Sequence, residues 1–178
     1  MVIFKRRVPE LSELALSRFL GRARRISGLK KSVDVLVTTN DEMRSLNRRF
    51  RGKDKATDVL SFAAADDDMR KKFAGEIAVS GEIAVQNARL LGHAAADEVK
   101  ILVLHGLLHL RGYDHERDDG EMARRELKLR MRLGLPSGLI ERSPVDESVT
   151  AGGRGGRPRL DDKFETTPNR NMRRAKAR

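Results

Sequence analysis

Asp97–His115 reads DEVKILVLHGLLHLRGYDH. Val99, Ile101 to Leu104, Leu107, Leu108 and Leu110 make it apolar on nearly every side, and a helix of that kind belongs in the middle of a domain. Asp97 reads as its N-cap. His105 and His109 stand four apart, so their side chains stack on one helix face. Two imidazoles in that relation chelate one ion at about 2.0–2.1 Å per nitrogen. Gly112 follows three residues after His109, where a glycine takes the left-handed conformation that stops a helix. The chain then turns back and brings His115 towards the same ion. Of the four histidines in the chain, three fall in the eleven residues from His105 to His115, so a buried central helix ending in a three-nitrogen metal site is expected.

Three neutral nitrogens leave a fourth tetrahedral position open, as in a catalytic rather than a structural zinc site, with a bound water whose pKa falls to about 7. Asp114 or Asp118 could instead close the site and make it structural. Asp114 is also the nearest candidate to help a water as general base. Glu98, seven residues before His105, is either a carboxylate that orients a ligand or a solvated acid of the first turn. His93, beside Gly92, reads as a cap or surface residue rather than a ligand.

Outward from this helix, the elements alternate. Val2 to Arg6 reads as a short strand and Leu11 to Arg25 as an amphipathic helix with Leu14, Leu16, Phe19 and Leu20 as apolar positions. Val33 to Thr39 is β-branched and reads as a strand. Asn40 and Asp41 cap a helix to Arg51, stopped by Gly52. Val59 to Ala63 and Glu76 to Ser80 are two further strands. Ser80 caps a helix to Leu91, and a last helix starts near Asp118 and ends at Leu133 and Gly134. The expected fold is α/β (α+β type): one compact domain with a central sheet of about four strands and about five helices, in residues 1–142. The order of the strands is not readable.

From Ser143 the apolar rhythm ends, and residues 143–178 are expected to be a disordered Gly/Arg-rich tail. The chain carries a net charge of +11. Of this, +6 lies from Thr150 onward, where nine Lys/Arg face three Asp/Glu. A chain this basic suits a polyanionic partner. There is no cysteine, which excludes disulfides and cysteine zinc sites. The start of the chain lacks the apolar run of a signal peptide and the longest central apolar stretch is far too short to span a bilayer, so a soluble cytoplasmic protein without membrane contact is expected.

The spacing H-x-x-x-H-x-x-G-x-x-H matches metzincin peptidases, which carry a glutamate general base directly after the first histidine. Here that position is Gly106, which disfavours a peptidase. A phosphate substrate would need a cation besides the metal. Arg48-Arg49-Phe50-Arg51-Gly52-Lys53-Asp54-Lys55 offers several: arginine binds phosphate oxygens through two parallel hydrogen bonds. Equally, the stretch reads as a basic helix end favoured by the helix dipole.

HGLLHLRGYDHE, His105 to Glu116, resembles the signature of the YbeY family of endoribonucleases and ribosomal RNA maturation factors. LNRRFRGKDKATDVLSF, Leu46 to Phe62, is similar to the family's second block. GEIAVS, Gly75 to Ser80, and the late Met122, Glu126 and Leu133 to Leu135 also fit. The resemblance implies His105, His109 and His115 as ligands of one Zn2+ per chain, and Arg51 as a residue of RNA cleavage. Asp114 stands beside it as a candidate catalytic group, and Arg49, Lys53 and Lys55 as candidate substrate contacts. It further implies cleavage of single-stranded RNA in maturation of the small-subunit ribosomal RNA 3′ end and in ribosome quality control. Its implied partners are ribosomal RNA, the pre-ribosomal small subunit, ribosomal proteins and an assembly GTPase. A zinc-containing, non-catalytic ribosome assembly factor is the alternative. Two features depart from the family: Ala56 replaces a usual proline, and the tail is longer than is common.

Overall fold

In the computed structural model the described residues are 1–64, 72–115 and 117–137. They lie within Met1–Ile140, one of the two units into which the chain divides; the expected tail falls outside them. The elements are β1 (Val2–Phe4), α1 (Glu13–Ser27), β2 (Ser32–Thr38), α2 (Asn40–Arg51), β3 (Val59–Ala63), β4 (Phe73–Ser80), α3 (Gly81–Leu91), α4 (Ala95–Leu110) and α5 (Glu121–Leu133). The strand and helix counts are those expected. The sheet order is β1-β2-β4-β3. β1, β2 and β4 run parallel, and β3 runs antiparallel to β4 at the edge.

The centre of the sheet follows from alternation. In β2, Val33, Val35 and Val37 are each buried to 2% exposure or less, and successive side chains point to opposite faces. On one face α4 packs against the sheet: the Gly106 Cα lies close to Ile77 and Ser61, and Leu110 reaches Gly75. On the other face Met43, Leu60 and Ala78 form a smaller cluster with Leu46 and Phe62, which seats α2. α4 also packs against α1, α3 and α5. Ile101, Leu102, Val103, Leu104, Leu107 and Leu108 are therefore all essentially inaccessible. Each such side chain contributes about 1.5–3 kcal/mol from burial, so the helix that carries the histidines is the most firmly held element of the domain.

Several boundaries differ from the sequence reading, each for a local reason. α1 starts at Glu13 because Ser12 is the cap, its Oγ accepting from Ala15 N at 3.2 Å; Leu11 is buried just ahead of it. Thr39 rather than Asn40 caps α2, its Oγ1 accepting from Glu42 N at 3.4 Å. α4 starts at Ala95, and its capping residue Ala94 makes no side-chain bond. Asp97 is thus inside the first turn, where an acid still complements the helix dipole, and it binds Lys100 Nζ at 2.8 Å. β4 begins at Phe73, three residues earlier than expected. Asp118 does prepare α5: its carboxylate accepts from Gly120 N and Met122 N, both at 2.9 Å, and the helix proper begins at Glu121.

Gly106 has a packing reason. A Cβ there would stand 2.9 Å from both Ile77 Cγ2 and Ser61 Oγ. Ile77 is a buried β-branched side chain and cannot swing away. Overpacking of this kind costs about 1–3 kcal/mol, against roughly 1 kcal/mol of helix propensity regained on leaving glycine. Gly106→Ala is therefore expected to lower the urea midpoint by the equivalent of up to about 2 kcal/mol, and Gly106→Glu to prevent accumulation of folded protein. A midpoint for the alanine variant at or above that of the wild type would mean that α4 does not rest on the sheet at this residue.

Candidate metal centre

α4 ends in a turn that performs two tasks. Gly112 adopts φ +91, while Gly112 N donates to His109 O at 2.9 Å and Tyr113 N to Leu108 O at 3.1 Å. The reversal aims the Tyr113 carbonyl back at His109 Nδ1, at 3.1 Å. It also delivers His115 beside the other two rings. Ring centroids are 4.8 Å apart for His105 and His109, 5.3 Å for His105 and His115, and 5.1 Å for His109 and His115. One nitrogen from each ring lies within 4.8 Å of the others.

The hydrogen bonds fix which nitrogens face inward. A carbonyl only accepts, so His109 Nδ1 carries the proton. His105 Nδ1 lies 2.9 Å from Glu126 Oε2. Burial alone would push the Glu126 carboxyl up, but the hydrogen bond and charge of His105, joined by the Arg130 guanidinium, hold it down at about 2. The carboxylate is therefore ionised and accepts, and His105 Nδ1 also carries a proton. With both rings neutral, as metal ligands must be, both Nε2 atoms would be bare; they stand 3.1 Å apart. Tetrahedral ligands about 2.0–2.1 Å from one ion lie about 3.3 Å apart. The donor set and spacing thus fit a zinc-type ion, with His105 and His109 half-buried and His115 exposed.

His109 is kept neutral by its surroundings. Burial lowers its pKa first, the neighbouring His105 and His115 add to this, and the Tyr113 carbonyl and Asp114 act in the opposite direction. Asp114 is therefore close enough to bear on the centre. Its carboxylate also meets Arg117 Nε at 3.5 Å. The Asp118 carboxylate is engaged by the α5 backbone, so of the two acids considered for closing the site, this one has another role.

Glu126 orients His105, a partnership that the sequence reading does not pick out. A signal exists: Met122, Glu126, Leu129 and Leu133 are the buried residues of α5, and an acid within an apolar stripe at helical spacing implies a buried partner. Glu98 is not the solvated first-turn acid that is one of its two readings. It is fully buried and lies 2.8 Å from His93 Nε2, with Asn87 Nδ2 at 3.5 Å. His93 is thereby tied to the α3–α4 corner, away from the ligand set, and its backbone N–H donates to Ala88 O to close α3.

The basic block stands on the other side of the edge strand. Arg51 is the last residue of α2, and Arg49, Lys53 and Lys55 are exposed in the same helix end and turn. Phe50 meets Phe62 at a centroid distance of 4.9 Å on the α2 face. One residue earlier in β3, Ser61 Oγ donates to Gly106 O at 3.4 Å on the α4 face. Phe50 and Gly106, the residue after His105, thus meet adjacent residues of β3 from opposite faces.

A sequence profile of the family described as endoribonuclease YbeY matches residues 5–134. The chain belongs to the YbeY family. The endoribonuclease YbeY of Koribacter versatilis is 55% identical over 143 residues, covering 80% of this chain and 91% of that protein. The YbeY relative of Solibacter usitatus is 45% identical over 141 residues, covering 79% and 92%. A Thermotoga maritima protein solved in solution superposes with a TM-score of 0.53 at 32% identity, covering 75% of this chain and 89% of its own. The YbeY resemblance read from the two long motifs is thus established. Among the described residues, no helix is long and apolar enough to cross a membrane.

Glu126 sets a test of this geometry. Loss of a carboxylate that orients a ligating histidine typically costs about 10–100-fold in metal affinity. Glu126→Gln is expected to release zinc to a competing chelator by that factor while keeping the ion count at saturation. Its effect on acid stability has a fixed sign. A carboxyl whose folded pKa is depressed stabilises the protein above its unfolded value of 4.5, and that stability is lost as pH falls towards about 2. Acid unfolding of the metal-free variant should lack this component. An unchanged chelator competition would remove Glu126 from the centre.

Proposed function

We propose that this protein is a zinc-dependent endoribonuclease acting on single-stranded RNA. On this reading it works in the cytoplasm, in maturation of the small-subunit ribosomal RNA 3′ end and in ribosome quality control. The observation that carries the proposal is the pair of bare imidazole nitrogens 3.1 Å apart, with an exposed third histidine on the open side. Family membership supplies the reaction class: the YbeY relatives are named endoribonucleases.

His105, His109 and His115 would hold one zinc ion per chain. Such an ion supplies Lewis acidity and lowers the pKa of water to about 7 at a site with an open position. The protein's own residues do the rest. Glu126 and the Tyr113 carbonyl keep both Nδ1 protons in place, so the rings present fixed lone pairs. Burial keeps His109 neutral near pH 7. Asp114 is the candidate to take a proton from the attacking water. Position 106 is a glycine and offers no base, and its close packing against Ile77 and Ser61 disfavours any longer side chain there; this weighs against the metzincin mechanism and the peptidase reading. Arg51 binds the scissile phosphate, and Arg49, Lys53 and Lys55 hold its neighbours. Ribosomal RNA within the pre-ribosomal small subunit is the proposed substrate, with ribosomal proteins and an assembly GTPase as proposed partners.

The test is cleavage of purified ribosomal RNA with metal content measured in parallel. His109→Ala is expected to lose both ion and cleavage. Arg51→Ala is expected to retain the ion and to lose about 10²–10³ in rate, the scale for removing one transition-state donor. Normal cleavage by Arg51→Ala would reassign the phosphate contact. A wild type that retains its ion and cuts neither RNA nor whole ribosomes would leave the assembly-factor reading.

A further inference from the structure

One exposed aromatic side chain has no part in the metal centre. Phe50 is 55% exposed at the end of α2, on a helix whose other large apolar side chains face the sheet. It meets Phe62 with ring planes tilted by 58°. The Arg49 guanidinium lies over the Phe50 ring at 5.1 Å. The ring thus already receives a flat, cationic group on one face, while the side chain as a whole stays largely exposed.

The charge around it points to a ligand. Arg48, Arg49, Arg51, Lys53 and Lys55 are all exposed. The one acid within the stretch, Asp54, is matched from outside it by Arg44, with Nε–Oδ1 at 2.9 Å and Nη2–Oδ2 at 2.8 Å. Among the described residues these five cations form no ion pair, although Arg48 contributes to holding the Asp54 carboxyl down. Glu76, opposite Phe62 in the strand register, is exposed and would repel phosphate, which confines a polyanion to the α2-end side of the rings. An exposed aromatic face within a basic stretch is what unpaired nucleic acid uses: bases stack on the ring while cations follow the backbone. A paired duplex offers no free base face.

We propose that Phe50, supported by Phe62 and flanked by Arg49, is a stacking platform for one unpaired nucleobase of an RNA strand that passes round β3 towards the metal centre. This rests on the ribonuclease reading and deepens it. Specificity for single-stranded substrate would come from this platform rather than from the ion. Ser61 and Phe62 are consecutive and point to opposite faces of β3, so Phe50 and the α4 backbone just after His105 meet adjacent residues of the edge strand.

The chain contains no tryptophan, so Phe50→Trp places a single indole fluorophore at the proposed contact. The probe is an oligouridine of about twelve nucleotides, within the span that single-strand grooves cover. It is compared with the same backbone carrying abasic sites and with the oligouridine annealed to its complement. The expected result is quenching by the first and none by the other two. In parallel, Phe50→Ala is expected to weaken anisotropy-detected binding of oligouridine about five- to hundred-fold. It should bind the abasic probe as the wild type does, with an unchanged slope of affinity against salt, because no phosphate contact is lost. Oligouridine that binds the Phe50→Trp variant without quenching its indole, or equal affinity of Phe50→Ala and wild type for it, overturns the platform. Wild-type cleavage is scored separately. Loss of binding in Phe50→Ala together with a wild type that cuts nothing would uphold the platform and overturn the nuclease; cleavage together with an inert Phe50 would do the reverse.

Discussion

Two imidazole Nε2 atoms held 3.1 Å apart are the constraint around which this domain is organised. Each ring is fixed by its other nitrogen, Nδ1, which meets Glu126 in one case and the Tyr113 carbonyl in the other. Both acceptors are supplied from outside the helical face that carries the rings. Glu126 comes from α5, where Arg130 holds its other oxygen at 3.0 Å through Nε. Tyr113 comes from the turn that Gly112 makes possible. Ligand geometry therefore depends on the docking of α5 and on one positive φ, not on the histidines alone.

That dependence explains why α4 is packed so completely. Imidazoles at i and i+4 keep their relation only if the helix neither slides nor rolls, and a helix buried by the sheet and by α1, α3 and α5 can do neither. Gly106 marks the closest point of this packing. The same contact decides the chemistry. A residue directly after the first ligand could in principle carry a general base, as in metzincin peptidases, but here that direction points into Ile77 and Ser61. Tight seating of the helix works against a base at position 106, so on the proposed reading proton handling would fall to groups on the open side, such as Asp114.

Local features are legible in the sequence and lateral ones are hidden. The His105–His115 spacing, Gly112, the β-branched strand at Val33 and the Gly52 stop are all local patterns, and each can be read without knowing what lies across from it. Strand order cannot be read, because β3 joins β4 as an antiparallel edge while β4 joins β2 in parallel, and nothing in the strands themselves distinguishes these. Helix starts are displaced by a residue or more where the cap is Ser12 or Thr39 rather than a more conspicuous neighbour, or where, as at Ala94, no side chain caps at all. Glu98 departs from expectation for a similar reason. Its partner, His93, stands before the helix, and the pairing exists only once the α3–α4 corner folds back. Glu126 is the same case over a longer separation, although the apolar residues around it on α5 carry the signal.

The edge position of β3 is what turns these parts into a site that suits a chain-like substrate. A central strand has both neighbours hydrogen-bonded and both faces covered, so nothing can pass around it. An edge strand leaves a rim, and here the rim has unlike sides: histidines on the α4 side, and aromatic rings with five exposed cations on the α2 side. A small substrate would need only one of them. A polyanion with flat, unpaired bases can use both, its backbone neutralised on one side while a phosphodiester reaches the other. The antiparallel return of β3, a detail of topology with no chemistry of its own, is thus what sets Phe50 and the α4 backbone beside His105 against opposite faces of one edge strand, as the proposed path of the RNA requires.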